Sequence, residues 1–130
     1  VYSDYNNEDH GLGYLIESNV YQEWPIDGND VGDTWAFQFD AKRGNIGGST
    51  TAQAFVRTLD PGAGFATTNN VVVDTTNLPT SWGPYSIMLN LSDPLLEGQI
   101  LQFGFSTIAK DFESAGNFYD NNVATLSPLP

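Results

Sequence analysis

Apolar side chains recur along this chain with a period of two rather than 3.6. Residues 35–41, WAFQFDA, put Trp35, Phe37, Phe39 and Ala41 on one side and Ala36, Gln38 and Asp40 on the other. That alternation marks a half-buried strand. Residues 85–91 repeat it with Tyr85, Ile87, Leu89 and Leu91, and residues 101–107 with Leu101, Phe103, Phe105 and Thr107. Shorter runs rich in Val, Thr, Tyr and Phe predict strands at 14–16, 20–26, 51–59, 71–74 and 118–126. Pro25 cannot donate to a ladder, so that end of 20–26 is an edge or a bulge. DGNDVGD, KRGNIGGST, Asp60-Pro61-Gly62 and Ser92-Asp93-Pro94 carry turn chemistry between the runs. Residues 1–13 are polar and acidic, a loop or an edge segment. No window sustains an i, i+3, i+4, i+7 stripe, and only 95–98 suits a helical turn. The pattern predicts an all-β fold: a two-sheet β-sandwich of jelly-roll type with about eight short strands and little or no helix.

Length and charge narrow the possibilities. The chain has 130 residues, enough for one domain that closes its core without crosslinks. We expect that domain to cover 1–126, with SPLP at 127–130 opening an interdomain linker. The absence of cysteine excludes disulfides, thiolate metal sites and a cysteine nucleophile. Four Lys and Arg stand against 16 Asp and Glu, a formal charge of −12. Four scattered cations cannot cover a phosphate backbone, so neither nucleic acid nor an anionic membrane is an expected partner. No apolar run approaches the roughly 20 residues of a membrane span. Lacking an initial Met and a signal peptide, the chain reads as a piece of a larger precursor, acting as a monomeric module beside other domains of its parent.

Three stretches resemble the jelly-roll carbohydrate-binding modules of families four, nine and twenty-two and their relatives in secreted bacterial polysaccharide-degrading proteins. They are VYQEWPIDGNDVGDTWAFQFDA at 20–41, Ser81-Trp82 with the alternating strand to Leu91, and ILQFGFSTIAKDFESAGNFYDNNVATL at 100–126. The last contains an aromatic-Asp-Asn sequence like the closing strand of such modules, but with two Asn, Asn121 and Asn122, before Val123. The start departs from the pattern: no Asn-Gly-x-Phe-Glu strand precedes Tyr14, so the first strand is missing or replaced. The resemblance implies a secreted, non-catalytic module that holds polysaccharide for an attached enzyme.

A sugar site pairs aromatic rings, which accept the C–H face of a pyranose, with planar polar side chains that bond its hydroxyls. Trp35 is in phase with Phe37 and Phe39 and belongs to the core. Trp24, beside Pro25, and Trp82, in a loop, are the stacking candidates; each alternatively caps the edge of the core. Gln38 points away from the Trp35 face, and Gln53 and Arg57 share one face of the next strand with Phe55 between them. If those two strands pair, Gln38, Gln53 and Arg57 line a shallow groove that Gln102 and Asn90 extend; the alternative is a solvated face. Arg57 stands out because cations are rare and a guanidinium bonds two hydroxyls at once.

Carboxylates and carbonyls suit Ca²⁺. Asp4-Asn6-Glu8 has the spacing that opens an EF-hand loop, but Asp9 occupies its glycine position and Leu15 its final Glu position, so an EF-hand is excluded. Asp27, Asn29, Asp30 and Asp33 form a second acidic loop. The resemblance implies a structural calcium joining the closing-strand Asp, here Asp120, to ligands near the N-terminus, here Asp4 and Glu8. The alternative is that acidic loops only solubilise the domain. For catalysis, no spacing singles out an acid and base pair among Glu17, Glu23, Glu97 and Glu113, and His10 is the lone histidine, in a polar loop. The expected function is therefore non-catalytic binding of a neutral polysaccharide such as a β-glucan or xylan. The rival is a structural or protein-interaction module that binds no sugar.

Overall fold

The computed structural model describes residues 15–110 and 113–129, together with the backbone of 2–5. Among the described residues eight strands form: β1 (Tyr2–Tyr5), β2 (Leu15–Pro25), β3 (Asp33–Lys42), β4 (Thr51–Asp60), β5 (Ala66–Asp74), β6 (Gly83–Asn90), β7 (Ile100–Lys110) and β8 (Phe118–Pro128). Every pairing is antiparallel, in a five-stranded sheet of order β1-β2-β7-β4-β5 and a three-stranded sheet of order β6-β3-β8. This is the expected β-sandwich.

The inward faces are those the alternation predicts. Trp35, Phe37, Phe39 and Ala41 from β3 and Ile87 from β6 meet Ala54 and Val56 from β4 and Leu101 from β7, all buried. An aromatic spine ties the sheets together. Phe103 lies 5.3 Å from Trp35 and 5.1 Å from Phe37, and Phe105 lies 5.1 Å from Phe39 and stacks on Tyr119 at 3.7 Å. Gly104, between those phenylalanines, is needed because β2 and β7 approach closely: a Cβ there would fall on the Val20 carbonyl and the Tyr21 Cα.

Three boundaries differ from expectation. The runs at 14–16 and 20–26 join into one strand, because Glu17, Ser18 and Asn19 pair with Ile108, Thr107 and Ser106 although they are polar. β5 begins at Ala66 rather than 71; its polar first half stays in the ladder through the Thr68 hydroxyl, 2.6 Å from those of Thr58 and from the Gln99 amide oxygen. The linker expected from 127 does not start there, since Thr34 pairs with Ser127, Asp33 pairs with Pro128 and the Leu129 N–H donates to the Gly32 carbonyl. The two Asp-Pro turns close as single 3-10 turns, Pro61–Ala63 and Pro94–Leu96, each capped by the preceding Asp carboxylate.

The extra asparagine of the closing strand is absorbed in a bulge. Gln38 pairs with Val123 and Asp40 with Asp120, so Asn121 and Asn122 together oppose Phe39. Asn121 takes the left-handed conformation, φ 53°, which asparagine tolerates better than most residues. The bulge restores phase: Tyr119 before it and Ala124 and Leu126 after it all turn inward, leaving Asp120 and Val123 outward.

Candidate functional site

Gln38, Gln53 and Arg57 do not share a groove, because β3 and β4 do not pair; they belong to different sheets. The aromatic face of β3 has to lie against Phe103 and Phe105 of β7, which sets the two strands face to face rather than side by side. Gln38 therefore faces outward from the three-stranded sheet, and Gln53 and Arg57 from the five-stranded one.

The outer face of the five-stranded sheet gathers the larger set. Register places Glu23, Gln102 and Arg57 in one row across β2, β7 and β4. Arg57 Nε donates to Gln102 Oε1 at 2.8 Å, and Gln102 Nε2 donates to Glu23 Oε2 at 3.3 Å. The guanidinium carbon lies 4.5 Å from the centre of the Phe55 ring, which is 1% exposed beneath it. Among the described residues Arg57 makes no ion pair with a carboxylate, so its terminal nitrogens stay available. The next row is Tyr21, Gly104, Phe55 and Val72, and the one after is Asn19, Ser106, Gln53 and Asp74. A hollow of about 260 Å³ opens beside that last row, between Gln53, Ser106, Asp74 and Thr76. From Arg57 to Gln53 is four residues, roughly 13 Å of strand. The Thr76 hydroxyl and N–H hydrogen-bond the Asp74 carboxyl and hold it below the usual carboxylate range. Gln102 was placed here correctly by alternation. Tyr21 and Glu23 lie within the expected strand 20–26, but alternation alone does not show that this strand pairs with β7; the β2–β7 register brings them to this face.

Trp24 takes no part in that face. It has the opposite phase to Tyr21 and Glu23, and sits at the rim of a cleft of about 460 Å³ between the sheets, floored by Trp35, Phe37, Phe103 and Phe105. Its ring lies 5.8 Å from Trp35, its indole N–H donates to Asp30 at 3.2 Å, and 42% of it is exposed. Asp30 also accepts from the Asp27 N–H, and Asp27 from the Asn29 N–H. The second acidic loop thus spends carboxylate oxygens on its own turn.

The outer face of the three-stranded sheet collects Trp82, Gln38 and Asp120. Lys42 Nζ lies 5.0 Å from the Trp82 ring and 5.2 Å from the Phe118 ring. Gln38, Asp40 and Lys42 run along β3 with Ser86, Val123 and Asp120 as cross-strand partners of the first two. Asn121 donates from its side chain to Asp40 Oδ2 at 2.8 Å and from its N–H to its neighbour Asp120 at 2.8 Å. A shallow groove of about 500 Å³ covers Gln38, Asp40, Ser86, Asn121 and Val123. Phe118 was missed because its contact with Lys42 joins positions far apart in sequence. Asn90, expected to extend a groove with Gln53 and Arg57, instead accepts from the Thr34 hydroxyl at 3.0 Å in this sheet.

The calcium set implied by the resemblance, Asp120 with Asp4 and Glu8, is not assembled by the described residues. Asp4 places its backbone in β1, in the other sheet, with its side chain outside them; Glu8 and His10 also lie outside. Asp120 and Asp40 are paired, but among the described residues no three His, Cys, Asp or Glu side chains gather, and Ca²⁺ takes six to eight oxygens.

No protein-family model and no curated protein sequence matches the chain. In fold it is similar to part of a crystal structure of the bacteriophage CBA120 tailspike protein 4 enzymatically active domain, with a TM-score of 0.60 and 14% identity. The likeness covers 98% of this chain and 18% of that one. It shows the β-sandwich and nothing finer.

Proposed function

We propose that the domain is a secreted, non-catalytic carbohydrate-binding module, and that polysaccharide lies on the outer face of the five-stranded sheet. The observation that carries this reading is the hydrogen-bonded row Glu23–Gln102–Arg57. In a chain of charge −12, a rare cation is stacked on a phenyl ring and tied by an amide, with no carboxylate of the described residues paired to it. Its planar end is pre-oriented for two oxygens of a bound molecule. Gln53, Ser106 and Asp74 supply further donors and acceptors one row beyond Phe55. The charge favours a neutral glycan such as a β-glucan or xylan, since an anionic polymer meets like-charge repulsion. The non-catalytic part of the reading rests on the sequence, in which no spacing singles out an acid and base pair among Glu17, Glu23, Glu97 and Glu113.

The test is affinity electrophoresis in gels containing laminarin, mixed-linkage glucan, xylan, mannan, agarose or alginate. Wild type should be retarded in one of them, and Arg57→Ala or Gln102→Ala should weaken that retardation on the order of tenfold, the scale of one hydrogen bond to a charged group. No retardation in any gel would transfer the assignment to the rival reading, a protein-interaction module. Parallel gels with EDTA test whether a calcium ion contributes.

A further inference from the structure

We propose a second glycan-binding surface on the outer face of the three-stranded sheet, built on Trp82, Phe118 and Lys42 and extended by Asp40, Asn121 and Gln38, so that one domain holds two polysaccharide chains. The inference rests on the reading of the domain as a polysaccharide binder, but not on the site assigned to Arg57. Two large rings remain open on one surface, Trp82 at 48% exposure and Phe118 at 54%. Exposed rings grouped on one surface, unlike single exposed residues, mark an interaction site. The ammonium of Lys42 lies between them, within 5.0 and 5.2 Å of their centres, and pairs with no described carboxylate. A pyranose ring placed against Trp82 finds Lys42 as a donor to its oxygens and Asp40 and Asp120 as acceptors for its hydroxyls.

The groove beside the rings is mixed in character, with Gln38, Asp40, Ser86 and Asn121 set among Pro84, Tyr85 and Val123. Polar groups interleaved with apolar surface suit a sugar, which offers both hydroxyls and C–H faces. The shape of the groove depends on the bulge. The left-handed Asn121 aims its amide at Asp40, fixing the carboxylate two residues from Lys42; backbone in such regions persists where surrounding contacts hold it. The two outer faces are on opposite sides of the sandwich, so one chain cannot occupy both surfaces of the same sheet pair while lying straight. Two chains held by one domain gain strength along polymers through multivalency.

The experiment compares wild type, Arg57→Ala, the double variant Trp82→Ala/Phe118→Ala, and Lys42→Met in the same polysaccharide gels, together with turbidity of the soluble glucan or xylan that retards wild type. The expected result is three- to tenfold weaker retardation of the double variant with residual binding, a smaller loss in Lys42→Met, and loss of turbidity in both. A double variant that matches wild type in retardation and turbidity overturns the second surface and leaves the Arg57 site standing. An Arg57→Ala protein that matches wild type while the double variant fails overturns the Arg57 site and supports this one. Absence of retardation for wild type in every gel overturns both. If the double variant melts early, Lys42→Met decides alone, and unchanged retardation there overturns the proposal.

Discussion

The two outer faces of the sandwich join a cation to an aromatic ring, but to opposite ends. On the five-stranded face Phe55 is 1% exposed under Arg57; on the three-stranded face Trp82 and Phe118 stay about half open around Lys42. Position in the sheet explains the contrast. Phe55 and Arg57 sit mid-strand on β4, flanked by β7 and β5, so neighbouring side chains close over the ring and fix the guanidinium. Lys42 ends β3, Phe118 begins β8 and Trp82 precedes β6, so three element ends meet where no flanking strand closes over the rings. A flanked strand builds a rigid hydrogen-bonding surface; a sheet end leaves rings free to adapt to what lands on them.

The comparison can be broken from the shared core outward. Phe37→Ala removes the ring that touches both Phe103 and Phe105; it should cost about 3–5 kcal/mol, lowering the midpoint of urea unfolding and abolishing both faces together. Gly104→Ala should cost about 1–3 kcal/mol, because its Cβ needs the space of the β2 backbone; it should disturb the Arg57 row while leaving the Lys42 cluster intact, which backbone NMR shifts would show. Arg57→Ala should lose about 1 kcal/mol, since the guanidinium covers Phe55. Trp82→Ala should stay within about 0.5 kcal/mol of wild type in the same melt, as surface substitutions do; an equal loss for both would erase the contrast. The smallest effect is Thr76→Ala, which should return the Asp74 pKa toward 3.8 in a carboxyl-resolved NMR titration. Asp74 is depressed in the folded chain, so its contribution is present above the unfolded value and is lost as pH falls from about 4 through the lower folded value.

Much of this was legible in the sequence, for a definable reason. Alternation fixes which side chains share a face of one strand, and it placed the core residues of β3, β6 and β7 and the pair Gln53 and Arg57. It does not say which strands are neighbours. Gln38 was grouped with Arg57 for that reason, though the aromatic payload of β3 forbids it from lying beside β4. Trp24 was legible as a rim residue but not as the hydrogen-bond partner of Asp30. The polar half of β5 and the polar middle of β2 were invisible because cross-strand partners, not their own hydrophobicity, keep them extended. Lys42 with Phe118 was beyond reach because only the β3–β8 register creates it.

The bulge in β8 has a consequence for how molecules meet one another. Among the described strands β8 borders its sheet, and its 11 residues offer a long row of unshared backbone donors and acceptors. A flat border of that length is a template for another chain to join by edge-to-edge growth. Asn121 and Asn122 crowd against a single partner residue and twist that border out of line, so a second molecule finds no continuous run to copy. The same asparagine that orients a carboxylate thus also interrupts the border, and deleting one of the two should raise the rate of self-association, which light scattering would read.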